Sequence, residues 1–308
     1  MMGGTHIPGD AQDQDVTLGL LGLGDLRDAP SRAAMEAAIR ARCRAVPLDP
    51  HTILCRVLGR HKFLVDSRDL GLAPHLLLDG YWEAWCTEFM LRRIAPGQVA
   101  WDVGANLGYY AVLMADLVGA EGRVLALEPN PRLAALCATS LALNGFARHA
   151  EVRRVAAAAA SGETLRFRAS ISDPKNGRIV EGTKAPAETW DDDTLEIAVR
   201  STRLDDLTDG AVDFLKIDVE GAEEQVWAGM QGLLDRSPGI TVLLEFNALR
   251  CKAPGRMLAE VAARFPLREL ALDASVVEVT AEAILPRTED TLLVLTRDAP
   301  QRETRGEA

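Results

Sequence analysis

From position 99 onward, short apolar runs alternate with longer segments whose apolar residues recur at helical spacing. That alternation is the mark of a parallel α/β sheet. Strands are predicted at 99–103, 123–127, 151–156, 212–219 and 240–246, with helices at 108–118, 131–143, 221–234 and 254–265. Two final strands, 267–272 and 291–296, have too little helical sequence between them for a parallel crossover, so they are expected to pair antiparallel. The expected architecture is an α/β Rossmann-like sheet of seven strands, mostly parallel, with an antiparallel terminal strand at a reversed edge.

The region before this core reads differently. Residues 31–46 pattern as a helix with Arg32, Arg40, Arg42 and Arg44 on a solvated face. Residues 52–66 carry β-branched and apolar positions around Gly59, which predicts a hairpin, and 81–94 reads as a helix stopped by Pro96-Gly97. The glycines at 19, 22 and 24 follow no strand and open no clear helix, so residues 1–30 read as a loose arm and not as a phosphate loop. Between the third and fourth core strands lies a polar insertion, 161–208, whose pieces 164–169 and 195–201 alternate like added strands. The chain thus divides into an N-terminal arm and α+β lead-in subdomain (1–95), a core domain (96–300) holding the insertion, and a tail (301–308).

Composition narrows the function. The 308 residues are 48% hydrophobic, enough for a full core, and carry a net charge of −11. Without clustered Lys and Arg there is no footprint for a phosphate backbone, so nucleic acid is not the expected partner. The five cysteines are scattered without a CxxC pair, suggesting neither a disulfide framework nor a zinc site. A reduced, cytoplasmic location is expected. The one short apolar run near the start, 16–23, follows Asp10, Asp13 and Asp15 instead of basic residues, so neither a signal peptide nor a membrane span is read. Composition says nothing of oligomeric state.

The first core strand runs into WDVGANLGYY (101–110), a sharp strand-to-helix turn with glycines at 104 and 108. Absent Cβ atoms would let a ligand lie against the turn while helix N–H groups face its polar end. A dinucleotide fingerprint would have glycine where Asn106 stands, so a ligand without pyrophosphate is favoured. Asp102 would repel phosphate yet suit a cationic ligand. Glu128, at the tip of the second strand in LEPNP (127–131), is placed to accept both ribose hydroxyls, or else to act as an acid beside the following helix. S-adenosylmethionine (SAM) meets these conditions. The expected cofactor-binding set is Asp102, Gly104, Ala105, Asn106, Gly108, Glu128, Pro129 and Asn130.

In these blocks, together with LNG (143–145), TRLDDL (202–207), DFLKIDVEGAE (213–223) and LLEFN (243–247), the chain resembles the FkbM-type methyltransferases. GYWE (80–83) looks like the family's lead-in helix. The resemblance covers about residues 55–250 and implies the class I methyltransferase fold, SAM as cofactor, and methylation of a hydroxyl on a sugar or other natural product. It carries cofactor contacts to Asp102, Gly104, Asn106, Glu128 and Asn130. The insertion and the N-terminal arm have no firm counterpart, which leaves the acceptor open.

Methylating an alcohol needs alignment and a base that takes the proton as the bond forms. The fourth strand delivers Lys216, Asp218 and Glu220 at period two to one side of its end. Asp218 is expected to be the base or acceptor-orienting group. Lys216 is its charge partner, or itself a base if its pKa is depressed; a purely structural pair is the plain alternative. Glu220 alternatively opens the next helix. Glu245, ending the fifth strand, is an acceptor ligand, a partner of Lys216, or part of a magnesium site with Asp218, although no spacing requires a metal. His61 and His75 read as structural, Tyr81, Trp82 and Trp85 as core or as a lid, and Trp190 with the stretch 172–178 as facing the acceptor. Competing readings are a carboxylate or nitrogen acceptor, a nicotinamide-dependent oxidoreductase, a nonenzymatic SAM-binding module and, least favoured by charge, a methyltransferase acting on RNA.

Overall fold

The computed structural model describes residues 18–180, 189–190 and 193–297. Helices α1 (Leu23–Arg27) and α2 (Arg32–Arg40) lead into a three-stranded antiparallel sheet of β1 (Ala45–Asp49), β2 (Thr52–Val57) and β3 (His61–Asp66), followed by α3 (Ala73–Leu78) and α4 (Ala84–Arg93). The β2–β3 hairpin turns at Leu58 and Gly59, both with positive φ, as the sequence predicts. Strand β1 replaces the end of the expected 31–46 helix. All five of its residues are exposed, so no alternation betrays it. Helix α4 begins at Ala84, three residues later than expected, because Glu83 takes a left-handed φ of 39°.

The core then runs β4 (Val99–Val103), α5 (Tyr109–Val118), β5 (Arg123–Leu127), α6 (Pro131–Leu143) and β6 (Ala150–Arg153). The insertion contributes β7 (Ala156–Ala157), β8 (Thr164–Ser170), β9 (Arg178–Val180), β10 (Thr189–Trp190) and β11 (Thr194–Thr202) to a separate sheet, in which β8 and β11 pair antiparallel. The chain returns through β12 (Phe214–Ile217), α7 (Glu223–Ala228), α8 (Gln231–Arg236), β13 (Thr241–Phe246), α9 (Pro254–Ala262), β14 (Arg268–Leu270), β15 (Val276–Glu278), α10 (Ala281–Ile284) and β16 (Thr291–Leu295). The single helix expected over 221–234 breaks at Gly229. There a Cβ would stand 2.1 Å from the Ala158 carbonyl oxygen, so the backbones approach too closely for a side chain.

The main sheet has the order β15-β14-β16-β13-β12-β4-β5-β6, with β4, β5, β6, β12 and β13 mutually parallel. This is the class I methyltransferase form of the Rossmann-like fold. Strand β16 is antiparallel as expected, but it lies between β13 and β14 and not at an edge. Residues 271–290 carry β15 and α10, and this excursion returns the chain one strand inward while β15 adds an eighth strand. Helix α5 is buried along almost its whole length, wedged against the sheet, α4 and α6, which fixes the turn that precedes it.

Candidate active site

The carboxyl ends of β4, β5, β12 and β13 open into one cleft, roofed by the lead-in at Trp82 and Glu83 and by the insertion at residues 174–179. Gly104 and Ala105 both donate to the Leu127 carbonyl at 3.0 Å, tying the turn after β4 to the end of β5. Gly104 has φ +84°, and a Cβ there would fall 1.7 Å from the Asp218 carbonyl oxygen; at Gly108, φ +90°, it would fall 2.3 Å from Cys137 Sγ. Both glycines are therefore demanded by protein neighbours, β12 and α6, where the sequence reading gave their space to the ligand. Asn106 keeps a left-handed φ of 53°, and its Oδ1 accepts from the Leu107 N–H at 2.6 Å, the local bond that lets Asn hold this conformation.

Glu128 stands at the tip of β5, 5% exposed, and its two oxygens accept the N–H groups of Asn106 and Asn130, each at 2.8 Å. Burial raises its carboxyl to about 7. The helix-capping duty belongs to Asn130, whose Oδ1 accepts from the Arg132 and Leu133 N–H groups at the start of α6. Asp102 is fully buried beside Lys216 in the β4–β12 register; burial lifts it to about 6 against the pull of the Lys216 charge and of the Ala111 N–H. Of the residues expected to hold the cofactor, Gly104, Ala105, Asn106, Glu128 and Pro129 line the cleft. Asp102, Gly108 and Asn130 stand behind it and shape it.

All three expected catalytic residues line the same cleft. Lys216 Nζ bonds Asp218 Oδ2 at 2.8 Å and lies over the Tyr110 ring, 4.8 Å from its centroid. Burial acts to lower the Lys216 pKa, but the charges of Asp218, Asp102 and Glu83 outweigh it and the pKa is raised. Lys216 is thus a fixed cation, and the depressed pKa that a lysine base needs is not found. Asp218 is held ionised against its burial by Lys216. Burial and the Asp218 charge push the Glu245 carboxyl well above its usual range. Glu245 meets Arg250 at 3.5 Å and not Lys216; Arg250 also binds Glu220 at 2.5 Å and Asp290 at 2.7 Å.

Sequence reasoning missed Glu83, Tyr110, Arg250 and Asp290, while Lys175 falls in the stretch 172–178 expected to face the acceptor. Glu83 accepts the Tyr110 hydroxyl at 2.5 Å, and burial raises its pKa. Glu83, Asn106 and Glu220 are three of the five non-glycine residues with left-handed backbone among the described residues, and all three line the cleft. Strain of this kind persists where a site holds it in place. Of the lead-in aromatics only Trp82 reaches the cleft, flanked by His75 at 5.0 Å; Trp85 packs on the core and Tyr81 bonds Arg40. His61 is buried against Asp116. Trp190 belongs to β10, while its side chain lies outside the described residues.

The sequence profile of the methyltransferase FkbM domain matches residues 102–268. Protein-L-isoaspartate O-methyltransferase of Methanopyrus kandleri is 36% identical over 80 residues, covering 26% of this chain and 32% of that protein. Protein-L-isoaspartate O-methyltransferase 1 of Arabidopsis thaliana is 35% identical over 63 residues, covering 20% of this chain and 25% of that protein. The match therefore spans about a third or less of these relatives. Among solved structures, the methyltransferase FkbM of Methylobacillus flagellatus KT aligns with a TM-score of 0.40 and 15% identity, over 72% of this chain and 52% of that one. With its profile match spanning most of the core sheet and both cleft-forming turns, this chain belongs to the FkbM family of SAM-dependent methyltransferases.

Proposed function

We propose that this protein methylates a hydroxyl group on a small molecule, a sugar or another natural product, using SAM. The observation that carries the reading is the convergence of Asp218, held ionised by Lys216, with the Glu128 turn in a single cleft. The cleft fits the cofactor. Each Glu128 oxygen keeps a lone pair beyond its one backbone bond, as two ribose hydroxyls require, and the buried Asp102 behind the glycine turn disfavours a pyrophosphate while suiting a cation. When bound, SAM supplies an activated methyl group on a sulfonium. Asp218, about a third exposed, accepts the hydrogen bond of the acceptor hydroxyl, aligns its oxygen and takes its proton. Lys216 fixes the carboxylate that does this, while burial and the Asp218 charge raise the pKa of the neighbouring Glu245.

Residues 174–179 of the insertion form one wall of the cleft and are the proposed seat of acceptor choice. No helix among the described residues is long and apolar enough to cross a membrane. All five cysteines are free, two of them buried to about 0% exposure, which favours a reduced, cytoplasmic setting. The test incubates the purified protein with methyl-labelled SAM and a panel of free sugars, glycosides and other hydroxylated small molecules. Alkali-stable label in an acceptor is the expected result. Label lost in mild alkali would mark a carboxylate acceptor and overturn the hydroxyl assignment.

A further inference from the structure

Among the described residues, Lys175, Arg178, Lys216 and Arg250 line the cleft as cations. Lys216 and Arg250 are committed to carboxylates. Lys175 pairs with no carboxylate among the described residues. Its Nζ sits 5.6 Å from the centre of the Trp82 ring, and its stem lies on Gly71, where an added Cβ would come within 3.0 Å of Lys175 Cε. The turn that carries it, Pro174–Asn176, is docked on the lead-in through the Leu70 N–H, which donates to the Ser172 carbonyl at 2.8 Å. Lys175 is therefore a positioned charge and not a loose surface lysine.

The residue after Trp82 is the strained Glu83, whose carboxylate is fixed from behind by Tyr110 in the first turn of α5. Lys175 is within electrostatic reach of Glu83, yet the two do not close into an ion pair. One wall of the cleft thus presents a carboxylate and an ammonium, each braced by an aromatic residue, next to the helix that opens from the glycine turn. A nucleoside alone has no use for such a pair, whereas an α-amino acid carries the complementary charges on adjacent atoms. Charge-assisted bonds to each would orient it.

We infer that Glu83 and Lys175 hold the amino-acid end of SAM, Glu83 taking the ammonium group and Lys175 the carboxylate. This rests on the reading that the cleft binds SAM. The GYWE block, which lies outside the family match, and the Lys175 turn of the insertion then hold the cofactor tail from two sides, while the rest of the 174–179 wall is left to the acceptor.

The test compares two ligands by calorimetry, S-adenosylhomocysteine and 5′-methylthioadenosine, which lacks the amino acid. Lys175→Met should weaken S-adenosylhomocysteine by about 10- to 100-fold, the scale of a lost charge-assisted bond, and leave 5′-methylthioadenosine within about twofold. Lys175→Arg should stay near the parent, and Glu83→Gln should repeat the selective loss. Unchanged S-adenosylhomocysteine binding in Lys175→Met, or an equal loss for both ligands, overturns the assignment. A parent protein that binds neither ligand removes the cofactor reading itself, and this inference with it.

Discussion

Lys216 Nζ lies 2.8 Å from Asp218 Oδ2, two positions further along the same chain, and the ammonium is 3% exposed while the carboxylate is 31% exposed. The pair spans the boundary between core and cleft, with the cation on the dry side. Removing the acid's charge should therefore spare the cofactor and stop the chemistry. Asp218→Asn is expected to keep S-adenosylhomocysteine affinity within about threefold while methyl transfer falls by ~10²–10⁴, the usual worth of a positioned base. Equal turnover in the variant would leave Lys216–Asp218 as a structural pair only.

Glu128 titrates near neutrality. Its pKa is raised from an ordinary 4.5 to about 7 because burial penalises the charged form. A carboxyl raised on folding binds more protons in the native state, so its linkage makes stability fall as pH climbs from about 4.5 to 7, by on the order of 3 kcal/mol. Below 4.5 both states are protonated and the contribution is full; above 7 it is lost. Ribose hydroxyls need the ionised form, so cofactor affinity should run the opposite way and rise between pH 6 and 8. Glu128→Gln, whose amide nitrogen cannot accept the second of the two backbone N–H bonds, is expected to be the weaker binder, with a loss of about 1.5–3 kcal/mol, and to lose the pH dependence of both binding and stability between pH 6 and 8. Thermal melts and calorimetry at both pH values check it; pH-independent binding in the parent would remove Glu128 from the ribose.

Gly108 and Cys137 meet where α5 starts against α6. An alanine at 108 must strain a φ of +90° and push Sγ from 2.3 Å, so Gly108→Ala should cost about 2–4 kcal/mol. Adding Cys137→Ala removes the sulfur and should recover part of that loss, leaving the backbone term. Denaturant titrations of the two variants and the double variant measure the split. Purely additive losses would mean that the sulfur contact is irrelevant.

The sheet was legible because its strands are short apolar runs between helices of clear period, and the cofactor turn because glycines and acids sit at strand ends. What failed was governed by distant contacts. Where the expected helix breaks, residue 229 must be glycine because the Ala158 backbone passes beside it, and β16 enters the sheet one place inward because of the excursion through β15 and α10. Glu83 looked like an ordinary lead-in residue; only the folded chain brings Tyr110 and Lys216 around it. The sequence leaves Lys216 open between charge partner of Asp218 and a base of depressed pKa; the three acids that raise its pKa, from three different segments, favour the first.

Arg250 decides whether the acids at the end of the sheet need a metal. Oxygens of Asp218, Glu220 and Glu245 lie within 4.8 Å of one another, a spacing open to a divalent cation. Arg250 already neutralises that group, reaching Glu220, Glu245 and Asp290. Burial and the Asp218 charge raise Glu220 to about 7 even with the arginine opposing them, so a second cation would have to displace a guanidinium held at several points. Magnesium is therefore expected to leave the melting temperature of the parent protein unchanged at pH 8. In Arg250→Met, Glu220 and Glu245 lose their counter-charge while Asp218 keeps Lys216, which destabilises the apo protein, and magnesium should then raise the melting temperature by stabilising the native state alone. An equal magnesium shift in parent and variant would show that the cluster takes a metal with the arginine in place, and the assignment of this site as metal-free would fall.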